Sequence, residues 1–134
     1  MEQLEKIDLS KARLERSQEF LKASSDNVNM ENYLTSANRS YYAVYLAIRA
    51  LLILEHSEMA KHSGNISEFR RHYIKTGVFK AEFSGYLSSL FQIRQDSDYD
   101  PMFIITKSEV LLQLEHAKEI VLAVTDYLQK YYCT

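Results

Sequence analysis

The sequence predicts an all-α fold, an antiparallel up-and-down bundle of about five helices with a four-helix core. Two observations support this prediction. The 134 residues include three glycines and one proline, whereas sheets need such turn residues at short intervals. Apolar residues also recur at alternating spacings of three and four along the chain, which is typical of helices that bury one face. No linker or repeat divides the chain, so we expect one domain over residues 1–134.

The first two predicted helices flank a polar stretch. The first covers about Leu9–Ala23, Ser24–Asn29 is predicted to break it, and Asn29 is predicted to cap the next helix. The second helix, about Met30–Ser57, is predicted to be the central one because it carries two stripes of buried residues. The first stripe consists of Ala37, Tyr41, Val44, Ile48 and Leu51. The second consists of the small residues Ala43, Ala47 and Ala50, which allow another helix to approach closely.

The next two predicted helices are shorter. A polar loop, Lys61–Asn65, is predicted to precede a helix over about Ile66–Lys75. Gly77 is predicted to end that helix, because glycine tolerates the positive φ of the position after a helix. A fourth helix is predicted over about Lys80–Gln95.

The last helix has the clearest start signal. Thr106 and Glu109 have the spacing of a capping box, in which each side chain binds the other residue's backbone N–H. An apolar stripe then continues over almost three heptads, and we predict that it forms bundle core rather than a dimeric coiled coil. Its members are Val110, Leu114, Ala117, Val121, Val124 and Leu128.

Composition narrows the functional classes. The net charge of −2 gives no overall basic field that would attract nucleic acid. Cys133 is the single cysteine, and the four histidines form no HxxxH or HExxH pattern, so we expect no disulfide, metal or cofactor. Met1–Leu9 lacks the apolar core of a signal peptide, and the apolar run Ala50–Leu54 is far shorter than a membrane span. We therefore expect a cytoplasmic protein with no membrane contact.

Arg94 stands out because it ends an apolar stripe on the fourth helix. It follows Phe83, Leu87 and Leu90 on the same face, so its guanidinium must reach water or pair with an acid. One interpretation is an ion pair with Asp98 that fixes the end of the helix. The other is a cleft arginine whose planar fork of donors binds phosphate. The residues alone leave both open.

A second cluster lies on the central helix. Arg39, Tyr42 and Arg49 share a face, with Tyr41 and Tyr45 beside them. Aromatic rings next to guanidinium groups can stack a base and hold a phosphate. Alternatively, the tyrosines fill core volume while their hydroxyls find hydrogen-bond partners.

An ordered set of motifs runs through the chain: SANRSYYAVYLAIRALL at residues 36–52, His62-Ser63-Gly64, Phe69, Ile74-Lys75-Thr76-Gly77, and Arg94 with Asp98-Tyr99. Over roughly Leu9 to Leu128, this set resembles the HEPN family, the higher eukaryote and prokaryote nucleotide-binding domains. The resemblance implies a helical bundle, frequently a homodimer. It also implies a minimal nucleotidyltransferase partner, in toxin–antitoxin or defence-like systems.

The resemblance also bears on catalysis. Many HEPN proteins resemble metal-independent ribonucleases, with an arginine followed after four to six residues by a histidine. Here Tyr99 follows Arg94 after four residues, and a tyrosine with a pKa near 10 is a poor general base. His62 is a candidate from another segment. Arg49 and His56 also fit the spacing, but at a place where the family does not carry the motif.

Three functions therefore stay open. The leading hypothesis is a module that binds a nucleotide or RNA, or contacts a nucleotidyltransferase, through Arg94, Asp98 and Tyr99. In this hypothesis Tyr99 is also a candidate acceptor for nucleotidyl transfer. The first alternative is a ribonuclease toxin that uses Arg94 with an unusual second residue. The second is a structural partner in which the Arg94–Asp98 pair only holds the bundle together.

Overall fold

The computed structural model describes residues 1–56 and 61–133, and within these ranges it contains helices and no strand. The prediction of an all-α bundle with five helices is confirmed. A five-residue π-helix, Arg70–Ile74, continues the third α-helix. The α-helices are α1 (Gln3–Asn29), α2 (Tyr33–Glu55), α3 (His62–Phe69), α4 (Glu82–Tyr99) and α5 (Lys107–Tyr132). None of the described helices is both long and apolar enough to cross a membrane.

Three serines fix the packing of α1 against α2. Ser10, Ser17 and Ser24 are spaced by seven residues, and all three are fully buried. Their hydroxyls donate to backbone carbonyls of α2: Ser10 to Ala50 at 2.6 Å, Ser17 to Ala43 at 2.6 Å and Ser24 to Ser36 at 2.9 Å. The pairing runs in opposite directions along the two helices, so they are antiparallel. We call this contact the serine seam.

The predicted break at Ser24–Asn29 is wrong, because α1 continues through it to Asn29. Ser24 is buried against α2, where its hydroxyl is also 2.9 Å from that of Ser36 and 2.7 Å from that of Ser40. Asn29 is therefore the last residue of α1 and not a cap of α2. The turn comes later, at Glu31, whose φ is +61°. The predicted end of the second helix at Ser57 lies outside the described residues.

The core lies around α2, as the sequence predicts. Both of its stripes are buried, and so is the stripe of α5 from Val110 to Leu128. The large and small faces of α2 pack against α1, α4 and α5 in one cluster, with a smaller cluster around Val110 at the other end. The four-helix core thus consists of α1, α2, α4 and α5.

Four further predicted element boundaries can be compared with the structure. The loop predicted over Lys61–Asn65 is wrong, because α3 already begins at His62 and Asn65 is buried. The predicted positive φ at Gly77 is confirmed at +81°. The fourth helix continues beyond Gln95 to Tyr99, so that Arg94 and Asp98 share a helical turn. The capping box of Thr106 with Glu109 is confirmed at the start of α5.

Candidate functional site

Arg94 lies where α4 meets α2, with its guanidinium enclosed by two tyrosines. Its Nη2 donates to the hydroxyl of Tyr42 at 3.1 Å, and its Nε is 3.2 Å from Oδ2 of Asp98. The guanidinium carbon is 5.6 Å from the ring centre of Tyr41 and 5.8 Å from that of Tyr42. The side chain keeps 18% of its surface exposed. The predicted ion pair with Asp98 is therefore present, and the guanidinium still reaches solvent.

The surroundings of Arg94 hold it as a cation. Burial acts to lower its pKa, but the hydroxyl of Tyr42 and the carboxylate of Asp98 act more strongly in the other direction, so the pKa is raised. Burial also raises the pKa of Tyr41 to about 12. Its phenol therefore stays protonated beside Arg94 at neutral pH, and the positive charge of the site comes from the guanidinium.

His62 joins this group from a different segment. At the start of α3, its ring stacks on that of Tyr45 with the centres 3.9 Å apart. Its Nδ1 is 3.3 Å from the hydroxyl of Tyr41, and its ring meets Tyr42 edge-on at 6.0 Å. Arg94 and His62 thus contact the same two tyrosine rings. We call the set the Arg94 cluster: Tyr41, Tyr42, Tyr45, His62, Arg94 and Asp98.

The electrostatics of the cluster keep His62 neutral. Burial lowers the pKa of its imidazole, and the positive charges of Arg94 and Arg49 lower it further. The stacked Tyr45 is held in place because Asn65, one turn after His62, donates to its hydroxyl at 2.8 Å. The result is an unprotonated imidazole in the same cluster as a permanent cation.

Arg39 and Arg49 lie on either side of the cluster along α2. The Arg39 guanidinium is 5.1 Å from the ring centre of Phe20 on α1. Arg39 and Asp98 both line a groove of about 250 Å³ between α2 and α4. The Arg49 guanidinium lies 5.9 Å from the ring centre of Tyr45. Arg39 and Arg49 of α2 thus flank the cluster that contains Arg94 of α4, although the chain as a whole has a net charge of −2.

Tyr99 and His56 lie apart from the cluster. Tyr99 is the last residue of α4 and is 73% exposed, with no hydrogen bond to its phenol from the part of the chain that the structure describes. His56 follows the last residue of α2 and stacks on His72 at 3.8 Å. Of the candidates from the sequence, the structure brings Arg94, Asp98, Tyr42 and His62 together, with Arg39 and Arg49 beside them, and leaves Tyr99 outside.

A second polar cluster, which was not predicted from the sequence, lies at the C-terminal end of α2. The Glu55 carboxylate accepts hydrogen bonds from three tyrosines and lies 3.5 Å from the ammonium of Lys130. The hydroxyl of Tyr73 is at 2.6 Å, that of Tyr127 at 2.7 Å, and Tyr131 completes the set. Burial acts to raise the pKa of Glu55, but these partners outweigh it and the pKa is lowered.

A sequence signal for Glu55 was available. Glu55 continues the buried stripe of Ile48 and Leu51 by one more turn, as Arg94 continues the stripe of α4. A charged residue at such a position must find partners. Tyr127 and Tyr131 are spaced by four residues on α5, so they lie on the same face of that helix and can both donate to Glu55.

Comparisons with known proteins agree with this architecture. The family model described as "HEPN domain" matches residues 10–127. A Methanocaldococcus jannaschii protein named as a candidate toxin is 33% identical over 96 residues, 72% of this chain and 65% of that protein. A UPF0332 protein of Thermotoga maritima is 31% identical over 84 residues, 63% of this chain and 64% of that protein. The chain thus spans slightly less than two thirds of the length of these two relatives. The family match covers almost the whole described bundle, including every residue of the Arg94 cluster, and the chain belongs to the HEPN domain family.

Proposed function

We propose that this protein is a HEPN module of a toxin–antitoxin or defence-like system that binds a nucleotide or RNA through the phosphate-binding fork of Arg94. The observation that supports the proposal is the environment of the Arg94 side chain. The guanidinium is held against Tyr41 and Tyr42 yet is partly exposed, and two further arginines lie along the same side of α2. Because these contacts already restrict the conformation of the guanidinium, less conformational entropy is lost when a phosphate binds to it.

Asp98 has a part in this proposal. In the free protein its carboxylate neutralises Arg94 and orients the guanidinium from one side. The Asp98 side chain is 37% exposed, so it can swing toward water when a phosphate takes its place. The exchange replaces one charge-assisted contact by another, in which two parallel N–H donors can serve one phosphate.

The proposal includes two kinds of partner. We propose a homodimer, in keeping with the family resemblance, and a nucleotidyltransferase that reaches the end of α4. Tyr99 supports the second part, because its phenol is exposed there and is hydrogen-bonded to no other described residue. The names of two Methanocaldococcus jannaschii relatives as candidate toxins support a toxin–antitoxin setting.

Replacing Arg94 with lysine tests the proposal. We expect Arg94→Lys to weaken binding of a mixed-sequence single-stranded RNA about tenfold, because lysine keeps the charge but loses the bidentate fork. Arg94→Ala should weaken it further. Fluorescence anisotropy measures the affinities, and thermal melting shows whether each variant is folded.

The matched control is Arg16→Lys. Arg16 is an exposed arginine of α1 that pairs with Glu19 at 3.1 Å, far along the chain from the cluster. The Arg16→Lys substitution should leave the affinity for RNA unchanged. Equal affinity of the parent and Arg94→Lys would contradict the proposal and favour the purely structural role for the Arg94–Asp98 pair.

A second candidate function, metal-independent RNA cleavage, is favoured by the position of His62. A neutral imidazole beside a fixed guanidinium is the pair of groups needed to take a proton from a ribose hydroxyl and to stabilise the charge that develops on phosphate. Tyr99 is 73% exposed and makes none of the contacts that hold the cluster together, so this function assigns it neither part. In this function His62 would act in place of a histidine on α4.

We expect a specific pH profile if His62 is the base. The pKa of His62 is lowered from 6.5, so the fall in cleavage on acidification, as the imidazole becomes protonated, should come at a lower pH than for a histidine base with the ordinary pKa. His62→Asn should abolish cleavage, and Arg94→Ala should do the same. The measurement is cleavage of labelled RNA by protein freed of metal with a chelator. Full activity of His62→Asn would exclude this role.

A further inference from the structure

A separate cavity opens between α3 and α4, next to the Arg94 cluster. It measures about 300 Å³, at the lower end of the range for small-molecule sites. Its lining continues from the cluster, because Ser63 follows His62 and the ring of Phe91 lies 6.1 Å from that of Tyr41. Phe91 thus lies between the cavity and Tyr41, whose ring also contacts Arg94.

The chemistry of the cavity is that of a neutral ligand with polar edges. Its floor is apolar, with the side chains of Ile66, Leu87 and Phe91. Its rim carries uncharged donors and acceptors: the hydroxyls of Ser63, Ser67 and Ser88 and the amide of Gln92. None of the described residues that line it is acidic. A flat heteroaromatic ring with hydrogen-bonding edges fits this combination, since proteins read unstacked bases by stacking and by polar contacts to their edges.

Arg70 is the one positively charged residue among the described residues that line the cavity. It begins the π-helix, and its Nη2 donates to the carbonyl of Ser84 at 3.0 Å and to the hydroxyl of Ser88 at 2.7 Å. These bonds tie α3 to α4 and set the width of the cavity. The Nε of Arg70 is buried without a hydrogen-bond partner among residues 1–56 and 61–133. This donor would gain a partner if a ligand acceptor were placed beside it.

The position along α4 relates the cavity to Arg94. Phe91 lines the cavity and precedes Arg94 by about one helical turn. Both residues contact Tyr41: the ring centres of Phe91 and Tyr41 are 6.1 Å apart, and the guanidinium carbon of Arg94 is 5.6 Å from the Tyr41 ring centre. We propose that this cavity binds the base of a nucleotide whose phosphate lies at Arg94. The proposal rests on the phosphate-binding role proposed above and adds a subsite for the base.

Nucleosides test the cavity independently of Arg94, because they carry no phosphate. Adenosine, guanosine, cytidine and uridine are titrated into the ¹⁵N-labelled protein. At least one of them should give saturable shifts of amides in residues 63–70 and 87–92. Ser67→Phe places a large ring at the exposed rim of the cavity and should lower the affinity for this nucleoside at least tenfold. Ser108→Phe, an equally exposed serine at the start of α5, is the control and should bind as the parent does.

The outcomes separate the two proposals. Absence of shifts in the cavity with all four nucleosides, or equal affinity of the parent and a folded Ser67→Phe, would overturn the base subsite. Neither result would affect the weakening of RNA binding, about tenfold, that is expected for Arg94→Lys. Arg94→Ala should retain nucleoside binding while it loses RNA binding. Loss of nucleoside binding in a folded Arg94→Ala protein would also overturn a subsite that is separate from the phosphate contact.

Discussion

Glu55→Ala is expected to lower the free energy of unfolding by about 3 kcal/mol and the melting temperature by roughly 10 °C. The carboxylate of Glu55 accepts hydrogen bonds from Tyr73, Tyr127 and Tyr131, and 17% of the side chain is exposed. Alanine removes the common acceptor and leaves three phenols, one of them fully enclosed in the core, to find other partners. Thermal and urea unfolding followed by circular dichroism measure the change.

The control for Glu55 is Glu119→Ala. Glu119 also forms an ion pair, at 2.7 Å with Lys80, but its side chain is 44% exposed. An exposed pair of this kind contributes 1 kcal/mol or less, so the control should melt close to the parent. Similar melting temperatures for the two variants would show that the tyrosine contacts at Glu55 contribute no more than a surface ion pair.

The stabilisation from Glu55 should also depend on pH. The folded-state pKa of Glu55 lies below the value of 4.5 expected in the unfolded chain. Its contribution is therefore fully present above that pH and is lost as the pH falls through the folded pKa. In Glu55→Gln this contribution is absent at every pH. The gap in unfolding free energy between the parent and Glu55→Gln should thus narrow in acid, and a gap that widens would contradict this assignment.

Ser17→Leu is expected to be the most disruptive single change in the serine seam, with a loss of 3 kcal/mol or more. Ser17 has no exposed surface, its hydroxyl is 2.6 Å from the carbonyl of Ala43, and Ala43 and Ala47 are themselves fully buried. The larger side chain must push α1 away from α2 along the longest contact of the bundle. Urea unfolding measures the loss.

Ser17→Ala is the matched control. It removes one hydroxyl and leaves the carbonyl of Ala43 with its bond inside the helix, so it should cost about 1 kcal/mol or less. The contrast between the two variants isolates volume from hydrogen bonding. If leucine were tolerated as well as alanine at position 17, the seam would not be tightly packed.

The serine seam also explains what the sequence could and could not predict about the fold. The apolar stripes of α2 and α5 and the capping box at Thr106 follow from periodicity and local chemistry, and they were predicted. The continuation of α1 through Ser24 was not, because serine counts as polar in a hydrophobic pattern. Only its partners on α2, at Ser36 and Ser40, make Ser24 a buried residue.

The candidate site likewise contains residues that local sequence patterns predict and contacts that they do not. Arg94 was predicted because it continues an apolar stripe, and Asp98 because it lies one turn further on the same helix. The stacking of His62 on Tyr45 depends on how α3 packs against α2. A local sequence pattern does not predict this tertiary contact. Glu55 gave the same kind of signal as Arg94, but its partners come from two later segments of the chain.

The π-helix at Arg70–Ile74 has a consequence for the length of this segment in evolution. Its wider turn, in which the N–H of Lys75 donates to the carbonyl of Arg70 at 2.9 Å, accommodates one residue more than an α-helical turn. Arg70 faces α4 and Tyr73 faces Glu55 in this register. A deletion of one residue in this turn can therefore be absorbed if the π turn becomes an α turn, whereas a deletion in the α-helical part of α3 would rotate its two ends by about 100° relative to each other. We therefore expect a change of one residue in length to be better tolerated in this turn than elsewhere in α3.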